Sequence, residues 1–153
     1  MEITKTTNAD PDFLRLCSAH NDVMNKTVAE QRYPNAHSLL GLEEYPTVFL
    51  ARVDGVAVGC IAISDVATDY KRPYADIGRV FVDEKFRGRG IATELLKHAE
   101  RCAKQMGAKM LTLDTYERLP NAVALYKKCG FTPVSQFLWI INSPFSLCME
   151  KEL

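Results

Sequence analysis

A strand-like run, a basic loop with two glycines and a long amphipathic helix follow one another between Ile77 and Met106. This succession limits the fold more than any other feature of the chain. From Gly90 to Met106 the apolar residues are Ile91, Leu95, Ala99, Cys102, Ala103 and Met106, three and four apart on one helical face. Gly107 follows where a helix ends on a left-handed residue. Ile77–Val82 before the helix and Met110–Leu113 after it read as strands. A strand, a crossover helix and a second strand place the two strands parallel in one sheet.

The flanking segments predict antiparallel strands. Thr47–Val53 and Val56–Ser64 are β-rich and are separated by Asp54-Gly55, the strongest short-range hairpin signal. Glu2–Thr6 is a short first strand. Asp10-Pro11 reads as an N-cap with proline at the first helical position, opening a helix to about His20. Asn21–Glu44 is partly helical, broken by Pro34 and Gly41. Thr68–Tyr74 is a polar loop. Pro120 opens another helix with the stripe Ala122, Leu125, Tyr126 and Cys129, stopped by Gly130. Phe131–Ile141 and Phe145–Lys151 supply the closing strands. The expected fold class is α/β (α+β). Its sheet is mixed, mostly antiparallel and six- to seven-stranded, flanked by about four helices, and it is not doubly wound and parallel.

Length and composition bound the rest. A chain of 153 residues fits one domain, residues 1–153, large enough to bury a core without staples. It has 19 Lys plus Arg against 19 Asp plus Glu, so bulk positive charge for nucleic acid is absent. With 47% hydrophobic residues it is not of the disordered class. Cys17, Cys60, Cys102, Cys129 and Cys148 are odd in number and form no CxxC pair. They read as small buried hydrophobes rather than a disulfide framework or a metal site. Met1–Lys5 carries no basic region followed by an apolar stretch, so no signal peptide is expected. No apolar run approaches the roughly 20 residues of a membrane span. The expected setting is cytoplasmic, with no nucleic-acid or membrane partner and no metal.

Chemistry enters at Val80–Ala92. Glycines in the loop let the backbone approach a ligand, and the first turn of the following helix presents unpaired N–H groups at the positive end of its dipole. This makes an anion site suited to a pyrophosphate, with Lys85, Arg87 and Arg89 at its mouth. The loop is not GxxxxGK[ST]. Thr93 stands where GxGxxG needs its third glycine.

Two motifs then carry a family resemblance. Arg87-Gly88-Arg89-Gly90-Ile91-Ala92 resembles the [RQ]-x-x-G-x-[GA] loop of the GNAT superfamily of N-acetyltransferases. Downstream, Ala122–Phe131 resembles the superfamily's A-x-x-L-Y-x-K-x-G-F segment. Together they cover roughly Asp76–Phe131, and the hairpin and closing strands fit the same fold in order.

The resemblance implies acetyl-CoA as cosubstrate, lying in a V-shaped gap between Ile77–Val82 and Met110–Leu113. Backbone groups of Val80, Phe81 and Val82 would bond the pantetheine arm. Arg87, Gly88, Arg89, Gly90, Ile91 and Ala92 would hold the pyrophosphate, with Tyr126 and Lys128 completing the cofactor set. A thioester is already activated, so the demand on the protein is to deprotonate an amine whose pKa is near ~10.4. Tyr126 occupies the position of the phenol that faces the CoA sulfur, and is expected to serve as the acid. Asp114 and Asp76, at the ends of the two cleft strands, are the candidate bases. Asp114 would act through water and Asp76 would orient a cationic substrate. Leu119 stands where relatives often carry an asparagine that touches the pantetheine or the base, and Asn121 is nearby but out of register.

The acceptor region precedes the first cleft strand and holds Arg32-Tyr33-Pro34, His37, Glu43, Glu44 and the loop Asp69–Tyr74. The expected acceptor is the primary amine of a small molecule, with a protein amine as the other class. A non-catalytic acyl-CoA-binding module and an unrelated interaction domain are the rival functions. An uncovered edge at Phe145–Lys151 would offer a surface for a homodimer.

Overall fold

The computed structural model describes residues 1–28, 41–117, 119–135 and 146–153. Among the described residues the sheet has seven strands: β1 (Glu2–Thr7), β2 (Thr47–Val53), β3 (Val56–Ile63), β4 (Tyr74–Val82), β5 (Met110–Tyr116), β6 (Thr132–Val134) and β7 (Ser146–Glu152). Their order across the sheet is β1-β2-β3-β4-β5-β7-β6. Every neighbouring pair is antiparallel except β4 and β5. Among the described residues three α-helices flank it: α1 (Pro11–Val28), α2 (Ile91–Gln105) and α3 (Pro120–Lys128). Short 3-10 turns stand at Leu42–Glu44 and Glu84–Phe86.

The two long helices cover opposite faces. The α2 stripe of Ile91, Leu95, Leu96, Ala99, Cys102 and Ala103 packs with Ile61, Ile63, Ile77 and Leu111. Phe13, Leu16 and Cys17 of α1 pack with Val48, Leu50, Cys60 and Phe81 on the other side. The five cysteines are free thiols, all buried but Cys129, which is half-buried. The Asp10 carboxylate accepts from the Asp12 N–H at 2.8 Å and caps α1.

Three expectations are corrected. α1 runs past His20 to Val28, because Met24 extends the buried face laid down by Phe13, Leu16 and Cys17. The first cleft strand begins at Tyr74 rather than Ile77, since Tyr74–Asp76 are the residues that pair with β5. β7 is not an edge: β5 lies on one side of it and the three-residue β6 on the other, which removes the stated ground for a homodimer. Arg32-Tyr33-Pro34, His37 and residues 136–145 of the closing segments lie outside the described residues.

The parallel pairing that positions the site is brief. Tyr74, Ala75 and Asp76 face Met110, Leu111 and Thr112, and no register pair follows. On its other side β4 slips in register against β3 between Cys60 and Ala62, leaving Ile61 opposite both Arg79 and Val80. Arg79 takes φ 55, a left-handed conformation uncommon outside glycine. Its carbonyl accepts from Cys60 Sγ at 3.2 Å. The bulge bends β4, which diverges from β5, and the sheet opens.

Candidate active site

A cavity of about 300 Å³ occupies the opening. Ile77, Gly78, Arg79 and Val80 form one wall and Leu113, Asp114, Thr115 and Tyr116 the other. Leu119, Ala122 and Tyr126 close it from the α3 side. His20, Met24, Gly41, Glu44 and Tyr45 close it from the α1 side.

The structure brings Val80, Asp114 and Tyr126 to this cavity. Asp114 is solvent-exposed at the open end yet surrounded by protein in the cleft. That crowding raises its pKa, against the pull of a backbone hydrogen bond and of Arg79. Tyr126 is buried, and its ring meets Phe131 edge-on at 6.0 Å. Burial first, then the charge of Asp114, pushes its phenol above the ordinary value.

Asp76 does not line the cavity. One carboxylate oxygen accepts from Thr112 Oγ1 at 2.5 Å and the other from the Tyr45 phenol at 2.5 Å. Its N–H donates to Ser64 Oγ at 2.8 Å. Burial, and then the neighbouring Asp114, raise its pKa to about 7, outweighing the two hydroxyl donors. Tyr45 escaped the sequence reading. It follows a 3-10 turn, belongs to no periodic pattern, and meets Asp76 only through tertiary folding.

The glycine loop turns on two left-handed residues. Gly88 and Gly90 take φ 76 and 77, with open space where a Cβ would stand. The N–H groups of Gly88 to Thr93 donate to no group among the described residues, and Gly90 opens α2. Ile91 is buried beneath the loop and Ala92 half-buried. Arg89 is exposed, its guanidinium 5.0 Å from the Phe86 ring centroid. Arg87 is partly committed elsewhere: its Nε donates to the Val82 carbonyl at 3.0 Å, and its guanidinium lies over the Phe81 ring. Phe81 turns its side chain toward α1, where it stacks on His20 at 5.2 Å, so only its backbone is offered to the cleft. Lys128 is exposed on the last turn of α3, and Asn121 on the first.

Of the residues foreseen for the acceptor, Glu44 reaches the cavity. The Asp69–Tyr74 loop does not. Tyr70 and Lys71 bond Glu150, Arg72 pairs with Glu152, and the Tyr74 phenol donates to Asp69.

A sheet split between two parallel strands, with a glycine loop following the first of them and Asp114 and Tyr126 in the opening, fits an acyl-CoA-dependent transferase fold. The model of the Acetyltransferase (GNAT) family matches residues 13–131, and the chain belongs to that family. It is 38% identical over 104 residues to the IAA acetyltransferase of Azospirillum brasilense, a match spanning 68% of this chain and 66% of that protein. Other curated relatives are matched over less than half of their length. Among solved structures, a candidate acyl-CoA N-acyltransferase of Klebsiella pneumoniae superposes with TM-score 0.78 at 27% identity, over 99% of this chain and 97% of that one. The PaiA N-acetyltransferase of Thermoplasma acidophilum, solved with coenzyme A, gives 0.74 at 19% identity over the whole of both chains. Among the described residues no helix is long and apolar enough to cross a membrane.

Proposed function

We propose that this chain transfers the acetyl group of acetyl-CoA to a primary amine, both substrates being bound at once. The observation that carries the reading is the succession along the chain of a cavity wall holding Val80, an opened β4 edge and an N–H cradle at Gly88–Thr93 without partners among the described residues, with Asp114 and Tyr126 in the cavity. The loop Arg87–Ala92 suits a pyrophosphate: from Gly88 onward its N–H groups have no partner among the described residues, and the dipole of α2 adds positive potential. Past Asp76 the β4 edge has no partner on β5, so backbone groups of Val80–Val82 on that side are open to an amide-bearing arm. Lys128 adds positive charge at the end of α3. Acetyl-CoA, when bound, supplies a thioester already activated toward amines.

The chain's own residues handle charge and protons. Asp114 and Glu44 on the cavity wall attract an ammonium group and hold it in the cleft. Asp76 has the proton affinity suited to a base near neutral pH. The Tyr126 phenol stays protonated because of its burial, and is available to donate to a departing sulfur. The acceptor class is a small cationic amine, which the acidic wall and the apolar Met24, Tyr116 and Leu119 suit together.

The test is thermal unfolding with and without acetyl-CoA, followed by thiol release on adding an amine. At about 100 times the dissociation constant, binding adds roughly 2.7 kcal/mol. No thermal shift overturns the cofactor site. A shift with no thiol release for any amine leaves a non-catalytic acyl-CoA-binding module.

A further inference from the structure

The cavity poses a problem that the paired carboxylates do not solve directly. Asp76 carries the proton affinity of a base at neutral pH, but it is not on the cavity wall. Tyr45 is on that wall. Its phenol donates to Asp76 Oδ2 at 2.5 Å, while Thr112 holds the other oxygen. The Tyr45 ring also lies across Gly78, 3.2 Å from where a Cβ would stand, which fixes it beside the carboxylate. A phenol oxygen that donates its one proton still has lone pairs to accept another.

We propose that Tyr45 and Asp76 act as one proton-accepting unit: an ammonium in the cavity gives a proton to the Tyr45 phenol oxygen as the phenol proton passes along the hydrogen bond to Asp76 Oδ2. Tyr45 ends as a neutral phenol, Asp76 as a neutral carboxylic acid, and the amine as a free base. The reverse passage, to water in the emptied cavity, resets the pair. No oxidant, metal or added reagent is needed. This inference rests on the reading of the chain as an amine acetyltransferase, and it adds Tyr45 as a catalytic residue.

The surroundings favour a phenol that relays rather than ionises. Burial, then Asp76, Asp114 and Glu44, push the Tyr45 phenol well above its ordinary value. The titratable and charged groups that act on Asp76 are Tyr45 and Glu44 from the segment before β2 and Asp114 from β5. Asp76 in turn acts on Tyr74 of its own strand, and Arg79 of the bulge acts on Asp114.

Two readouts test the unit. The first needs no cosubstrate: the carboxyl of Asp76 is titrated in the unliganded chain by 13C NMR with labelled aspartate. Tyr45→Phe removes a donor to the charged form and moves the midpoint to higher pH. Asp114→Asn removes a like charge and moves it lower. The second is kcat/KM against pH with whichever of tyramine, spermidine and a lysine-bearing peptide the wild type acetylates fastest.

Tyr45→Phe and Asp76→Asn are each expected to lose about 100-fold, within the usual range for a proton-transfer group. The double variant should be no worse than either, as for a unit that works only when whole. Thr112→Val takes a donor from Asp76 outside the proton's path. It should move the pH midpoint as Tyr45→Phe does while losing far less of the high-pH plateau. Wild-type rates in Tyr45→Phe, losses that multiply in the double variant, or a midpoint that ignores Tyr45 would each overturn the relay alone. A wild type that binds acetyl-CoA and acetylates none of the three amines overturns the transferase reading and the relay with it.

Discussion

The Tyr45 ring occupies the space a side chain at Gly78 would need, its Cε1 and Cζ 3.2 Å from an ideal Cβ there. The glycine is therefore a packing requirement of the cavity wall. Gly78→Ala should displace the ring by a few tenths of an ångström and loosen its bond to Asp76. Small displacements of positioned groups are costly, so kcat/KM for the amine should fall about tenfold while acetyl-CoA still raises the Tm. Steady-state kinetics alongside thermal unfolding separates the two. An unchanged amine rate would mean that the wall tolerates the shift.

Gly90 makes the corresponding demand in the glycine loop, for a different reason. Nothing crowds it, but its φ of 77 costs any L side chain about 1–2 kcal/mol. Gly90→Val should relax the loop toward negative φ and turn its N–H groups away from a shared focus. The stabilisation by acetyl-CoA, expected to be several degrees for a domain of this size, should vanish while the variant stays folded. A full shift in the variant would place the pyrophosphate elsewhere.

Periodic patterns and glycine punctuation made most of the scaffold legible. The hairpin at Asp54-Gly55, the face of α2 and its opening at Gly90 follow from local chemistry, and so does the order of strands and helices. Within the candidate site, a local signature is present in the contiguous stretches Arg87–Ala92 and Ala122–Phe131. Arg79 gave no warning of its left-handed backbone, because arginine carries no preference for it. Tyr45 and Thr112 meet Asp76 across 31 and 36 residues, a distance over which no periodicity speaks. Arg87 stands in the sequence with Lys85 and Arg89 as a cation at the mouth of the loop, yet the fold turns its Nε back onto the Val82 carbonyl. The edge assigned to β7 failed because the three-residue β6 pairs beside it.

Tyr126 separates binding from chemistry. It is buried on the cavity side of α3, packed edge-on against Phe131, with its phenol held protonated. Tyr126→Phe preserves that packing and removes only the hydroxyl. Turnover should drop about 100- to 1,000-fold, the scale of losing one donor to developing negative charge. The acetyl-CoA dissociation constant should change little. Unchanged turnover would reduce the residue to packing.

Asp76 also writes its proton affinity into the stability of the fold. Its folded pKa of about 7 lies above the unfolded carboxylate value of about 3.9. The folded state therefore binds the proton more tightly, and this contribution is complete below about pH 4. It is lost as pH rises toward 7 and changes no further above that, because both states are then ionised. Asp76→Asn cannot ionise and keeps a polar partner for Tyr45 and Thr112. Relative to wild type the variant should gain stability between about pH 4 and pH 7 and hold that gain above. Urea unfolding midpoints for both proteins at about pH 4.5, 6 and 8 measure the difference directly. A difference that stays constant across that range would show that the carboxyl titrates with an ordinary affinity, and the base at neutral pH would then have to be sought at Asp114.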